Sequence, residues 1–140
     1  MSHVVTETVL IKSLPDLKSA AAALGLVFVE GQTSFKWYGR FVGDTVPDSD
    51  PATWGMCDHA IRLASGTGYE IGVVKVEGGY RLRYDAWQGG YGLENVAGVK
   101  LARLKSEYSA QVATRQLKRE GYSVARKIVN GKLRLVAVKG

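Results

Sequence analysis

The sequence is poor in cysteine and has no long hydrophobic run, and each scarcity excludes a class of protein. The one cysteine cannot form an internal disulfide, and a free thiol is typical of a reducing compartment. No run approaches the roughly 18 apolar residues of a membrane-spanning helix. The first residues also lack the basic start and apolar block of a signal peptide. We therefore expect a cytoplasmic protein without a membrane segment.

The length and composition predict one globular domain over residues 1–140. The chain is 46% hydrophobic and 23% charged, so it has enough apolar residues for a core. A chain of this size leaves no room for a second domain.

Charge is divided unevenly along the chain. Residues 1–60 contain four Lys/Arg and seven Asp/Glu, whereas residues 61–140 contain fifteen and six. A basic half of this kind is typical of a surface that binds polyanions. A solvated helix and hairpin that keep a protein soluble are the favoured interpretation, because many unremarkable domains are this basic, and a polyanion-binding surface is the alternative.

The first half of the sequence predicts three strands around one helix. Ser13 is a good N-cap, followed by Pro15 in the first turn, and Gly25 suits the helix end. The strands are expected over 4–12, 26–30 and 34–39. In the last of these, alternation places Phe35 and Trp37 opposite Lys36 and Tyr38. Residues 43–57 contain two prolines and three aspartates and predict a long surface loop.

The second half predicts a strand, two hairpins and a long helix. The strand is expected over 59–65, and Gly78-Gly79 is a two-residue turn that pairs Val73 with Tyr84. A helix is expected over 93–120, with Gly98 as a mild defect. Asn130-Gly131 is a strong type I′ turn signal for a closing hairpin.

The predicted element order is therefore β-α-β-β-loop-β-β-β-α-β-β. Hairpins dominate this order, so the sheet should be mostly antiparallel, with both helices covering one face. That arrangement is a two-layer α+β fold.

Cys57-Asp58-His59 resembles part of a nucleophilic site, but its spacing argues against one. In a strand, Cys57 and His59 share one face and Asp58 the other, so Asp58 cannot orient His59 as in a triad. A metal site normally needs more ligands, and His3 is the only other histidine. We therefore expect no catalytic residues, no metal and no cofactor. A weak thiol or redox role for Cys57 stays open.

The stretch WQGGYG (87–92) predicts a Gly-rich connector before the long helix. It lacks the endings of phosphate-binding loops, so a plain flexible turn is favoured. Its aromatic residues Trp87 and Tyr91 are candidates for partner binding, as is Trp54 in the long loop.

Four basic residues are candidates for binding an anion or nucleic acid. Arg81 and Arg83 fall on the face of the central hairpin opposite Leu82. The Asn-Gly turn places Lys127 directly opposite Arg134, which is unfavourable unless solvent or a ligand relieves the repulsion. Lysines that discourage edge pairing of a solvated hairpin explain the same pattern.

Several ordered motifs together resemble a known family. They are Met1-Ser2-His3, Leu14, Leu17, Leu24-Gly25, Gly68-Tyr69-Glu70-Ile71-Gly72, Tyr80-Arg81-Leu82, Asp85-x-Trp87, Tyr108, Gly121-Tyr122, Val124, Leu133 and Leu135. With these motifs, which span nearly the whole chain, the sequence resembles the uncharacterised family called hypothetical chloroplast reading frame thirty-five. That domain of unknown function occurs in plastids, cyanobacteria and tailed phages. The long 43–57 loop and the WQGGYG stretch are similar to the phage branch. The family has no established activity, so the resemblance implies a fold and a phage source.

The sequence leads to two main hypotheses. The first is a small non-enzymatic binding or adaptor protein with a protein partner, which in a phage would modulate a host or phage complex. The alternative is a nucleic-acid- or nucleotide-binding protein that uses the basic C-terminal half. The sequence does not give the oligomeric state.

Overall fold

The computed structural model of the protein describes residues 3–38 and 55–140. Its strands are β1 (Val4–Thr6), β2 (Leu26–Glu30), β3 (His59–Leu63), β4 (Ile71–Val76), β5 (Gly79–Asp85), β6 (Tyr122–Val129) and β7 (Lys132–Lys139). Its α-helices are α1 (Leu14–Ala23), α2 (Leu93–Ala97) and α3 (Ala102–Arg119). Within the described ranges no helix is long and apolar enough to cross a membrane.

The first five strands form one antiparallel sheet in the order β1-β5-β4-β3-β2. Side chains on one face of this sheet pack against the helices, because alternate residues of each strand point the same way. The core that results contains Ile61, Ile71, Val73, Leu82, Tyr84, Leu17, Leu93, Leu104 and Tyr108. The predicted fold class, a two-layer and mostly antiparallel α+β arrangement, is confirmed.

Helix α1 begins where the sequence predicts. The Oγ atom of Ser13 accepts a hydrogen bond from the backbone N–H of Asp16 at 3.3 Å, which satisfies one of the free donors of the first turn. The helix ends before Gly25, whose φ of +75° lies in the left-handed region.

The turn between β4 and β5 lies one residue earlier than predicted. Val76 pairs with Gly79, so the turn is Glu77-Gly78 and Val73 pairs with Leu82 rather than Tyr84. Gly79 is the first residue of β5, where the backbone of Ile11 approaches it so closely that a Cβ would lie 2.4 Å from the Ile11 carbonyl oxygen. Moving a turn by one residue changes each pairing by two positions. The predicted core face is therefore retained.

The single helix predicted over 93–120 is wrong, because the chain breaks at Gly98. Gly98 has φ +89° and ψ 155°, and the following Lys100 and Leu101 have φ values of 56° and 58°. These left-handed residues disrupt the helical hydrogen bonds between α2 and α3. The break accompanies full burial of both Ala97 and Leu101 in the core.

The predicted strand over 34–39 is reduced to one bridge between Ser34 and Met56. Its predicted alternation is nevertheless present, since Phe35 is buried and Trp37 is half-buried, whereas Lys36 and Tyr38 are exposed. The rest of that segment, most of the predicted 43–57 loop, and Trp54 lie outside the described residues.

Strands β6 and β7 form a separate two-stranded sheet rather than joining the main one. Asn130 and Gly131 have φ values of 52° and 76°, as a type I′ turn requires, so the predicted hairpin is confirmed. Both strands contact α3. The hairpin therefore lies against the helical layer, away from the five-stranded sheet.

Candidate functional site

The terminal hairpin has two faces of different character. Cross-strand partners share a face, so the outer face consists of Ser123, Ala125, Lys127, Val129, Lys132, Arg134, Val136 and Val138. The inner face contains Arg126, which bonds to α3. The predicted pairing of Lys127 with Arg134 is confirmed, and both side chains are exposed on the outer face.

The basic residues of the C-terminal half differ in whether a carboxylate neutralises them. Three of them form ion pairs with carboxylates of the body, by which we mean the described chain before the terminal hairpin. These pairs are Lys105 with Glu7 at 3.1 Å, Arg115 with Asp16 at 2.7 Å, and Arg126 with Glu107 at 2.8 Å. In contrast, Lys127, Lys132 and Arg134 have no carboxylate partner among the described residues. Positive charge is therefore left uncompensated on the outer face of the hairpin.

The ion pair between Arg126 and Glu107 fixes the hairpin to α3. Glu107 is buried, with 7% exposure, and also accepts a hydrogen bond from Gln111 Nε2 at 3.3 Å. A buried carboxylate needs such partners because its removal from water is costly. Sequence analysis missed this pair. The sequence feature that could have indicated this contact is a second side of α3, away from its main apolar face, on which Glu107, Ala110 and Leu117 lie at helical spacing.

Towards its tip, the hairpin and the helices enclose a groove of about 710 Å³. Its lining combines cations with apolar side chains: Leu24, Arg103, Arg126, Ile128, Lys132 and Leu133. Ile128 is 71% exposed, so its apolar side chain is accessible at the edge of the groove. Nothing in the sequence indicated this groove, because it depends on how the hairpin lies against α3.

Arg81 and Arg83 do not join this basic surface. They lie on β5, on the face of the main sheet turned away from the helices, whereas the hairpin packs on α3. Arg83 is also 8% exposed, and its Nε donates to Thr6 Oγ1 at 2.8 Å. The four basic candidates therefore form two separate pairs.

Cys57 has the environment of a packed, unreactive thiol. Its side chain is buried beside Phe35 and Ala60, and its Sγ donates to the Gln32 carbonyl at 3.1 Å. Burial, together with the nearby Asp58 carboxylate, raises the pKa of the Cys57 thiol from its usual value near 9 to about 11. The thiolate that nucleophilic chemistry needs is therefore disfavoured.

Cys57 and His59 do not share a face, so that prediction was wrong. The ring of His59 lies between Phe28 and Tyr80, at centroid distances of 5.5 and 5.7 Å, and its Nδ1 accepts from a backbone N–H at 2.9 Å. Cys57 instead packs with Ala60, which points to the other side of the sheet. The alternation fails because β3 begins only at His59 and the chain bends at Asp58. In the described ranges, no three metal-binding side chains come together.

The WQGGYG connector forms a turn of residues in the left-handed region. Every residue from Gln88 to Gly92 has a positive φ, including the non-glycine Gln88 and Tyr91. Tyr91 is 53% exposed and packs edge-to-face on Tyr69 at 5.0 Å, while Trp87 is half-buried. Tyr91 is thus accessible to a partner, and Trp87 is only partly so.

Asp85, just before this turn, holds three chain segments together. Its fully buried carboxylate accepts backbone hydrogen bonds from His3 at 2.8 Å, Tyr38 at 3.2 Å and Trp87 at 3.0 Å. The sequence did not predict this role for Asp85.

Comparison with known proteins gives no match to a family profile, to a curated protein or to a solved structure. The resemblance to the plastid, cyanobacterial and phage family stays a prediction.

Proposed function

We propose that this protein is a non-enzymatic nucleic-acid-binding protein that uses the outer face of its terminal hairpin. The observation that carries the proposal is the exposed pair of Lys127 and Arg134, directly opposite each other and without a carboxylate partner in the described ranges. Like charges at such a position oppose hairpin formation by about 0.2–1 kcal/mol. A phosphate between them converts that repulsion into binding.

The shape of the hairpin supports the same proposal. Two eight-residue strands make a ribbon about 26 Å long, comparable to several nucleotides of backbone. Phosphate contacts from lysine and arginine supply most of the affinity in non-specific nucleic-acid binding. The packed environment of Cys57 gives no comparable support to an enzyme.

The test is fluorescence anisotropy with labelled single-stranded and duplex oligonucleotides over a range of salt concentrations. Binding should weaken steeply with salt, because each neutralised phosphate releases counterions. Lys127→Gln should lower the slope of log affinity against log salt by about 1. The matched control is Lys75→Gln, which removes the same charge from an exposed lysine of β4. Absence of binding to every oligonucleotide at low salt would refute the proposal.

An adaptor with a protein partner is the second candidate, and the exposure of Tyr91 favours it. Tyrosines are frequent anchors of protein interfaces. Such a role accords with the predicted phage source, where the protein would modulate a host or phage complex. A pull-down from the native host should then recover a stoichiometric protein that survives nuclease and is lost with Tyr91→Ala. Recovery that vanishes with nuclease would exclude the adaptor.

A further inference from the structure

We infer that the preferred ligand is a single-stranded nucleic acid that crosses the tip of the hairpin and places a base in the groove beneath it. This inference rests on the proposed nucleic-acid binding and names the form of the ligand.

Cations lie on both sides of the hairpin tip. Lys127 and Arg134 are on the outer face, whereas Arg103 and Arg126 line the groove on the inner side. Lys132, next to the turn, borders the groove and connects the two sets. A duplex bends only over a persistence length of roughly 150 base pairs, so it contacts one face of so small a feature. A single strand is flexible enough to follow the charges around the tip.

The groove has the chemistry to receive a nucleotide. Leu24, Ile128 and Leu133 supply apolar surface for a base, and the exposure of Ile128 leaves that surface open. The groove has a volume of about 710 Å³ and is open to solvent.

The charge of the groove selects an anionic ligand. Its only carboxylate among the lining residues, Glu107, is already paired with Arg126. Arg103 contacts only backbone carbonyls, those of Asn95 at 3.4 Å and Val96 at 3.5 Å. Arg103 lines the groove and has no carboxylate partner among the described residues, and its planar guanidinium suits both a phosphate and the face of a base.

The deciding experiment compares a single-stranded oligonucleotide with its own duplex at one salt concentration. The single strand should bind about tenfold more tightly or better, a difference of about 1.4 kcal/mol. Ile128→Ser should weaken single-strand binding several-fold without changing the salt slope, because it removes apolar contact and no charge. Arg103→Gln should lower the slope by about 0.7, the value per phosphate for single strands. Lys75→Gln again serves as the matched control.

A second readout locates the ligand. Titration with a mononucleotide, followed by NMR, should shift the backbone amides of Arg103, Gly131 and Leu133 before those of the main sheet. Equal or tighter binding of the duplex, or unchanged binding by both groove variants, would overturn the inference while leaving the proposed function intact. Failure of the proposed function differs, because then neither nucleic acid binds. Ile128 is exposed, so its replacement should leave the fold unaltered.

Discussion

Replacing Lys127 by glutamate should stabilise the terminal hairpin and weaken its binding of nucleic acid. In the native protein Lys127 faces Arg134 across the strands, and both are exposed. Lys127→Glu turns this like-charge pair into an opposite-charge pair. The repulsion that is removed and the attraction that is gained are each worth about 0.2–1 kcal/mol, and solvent screening reduces both at the surface. We expect a net gain of about 0.5–1 kcal/mol at low salt.

Amide hydrogen exchange in β6 and β7 measures this gain locally. A stabilisation of that size slows exchange by about two- to fivefold, provided that these amides exchange through local opening of the hairpin. The effect should shrink as salt is added. Lys75→Glu is the control, because Lys75 faces Tyr80 and not another cation. Faster exchange in Lys127→Glu, or undiminished nucleic-acid binding, would refute the reasoning that the pair is unfavourable in the free protein and used in the complex.

Three further predictions concern the body. The thiol of Cys57 should react slowly with a thiol reagent at pH 8 in the native protein and rapidly after unfolding, and fast native reaction would contradict this. Because the pKa of the thiol is raised in the folded state, the free energy of unfolding should fall as the pH rises from about 9 to about 11. Arg126→Gln should lower the free energy of unfolding by about 1–2 kcal/mol, because it leaves the buried Glu107 without its cation. In a double-mutant cycle measured by denaturant unfolding, adding Glu107→Gln should restore most of that loss, whereas additive losses would argue against coupling of the two residues. Gly98→Ala should lower the melting temperature more than Gly121→Ala. Both have positive φ, but only at Gly98 would the new Cβ lie 2.6 Å from a backbone atom, so equal effects would show that backbone conformation alone matters.

Features fixed by neighbouring residues were predictable from the sequence. The cap at Ser13 and the turn at Asn130-Gly131 each depend on a few adjacent side chains, and both are present. The pairing of Lys127 with Arg134 followed directly from that turn.

Features decided by distant parts of the chain were not predictable. The turn after β4 moved because Ile11 approaches Gly79, and these residues are far apart in sequence. The break at Gly98 accompanies burial of Leu101, which no local propensity indicates. The groove beneath the hairpin depends on the anchoring of Arg126 to Glu107. Lys127 and Arg134 could therefore be predicted from the sequence, whereas Arg103, Arg126 and the groove that they line could not.

The separate sheet of β6 and β7 has a consequence for how this protein evolves. Within the described residues, the main hydrophobic core takes nothing from the chain beyond Val112. Changes on the exposed outer face of the hairpin therefore do not touch this core, whereas Arg126 is constrained by its ion pair with the buried Glu107. Substitutions on this outer face therefore change the affinity of the hairpin for ligands one residue at a time, whereas substitutions in the body are constrained by the packing of its core.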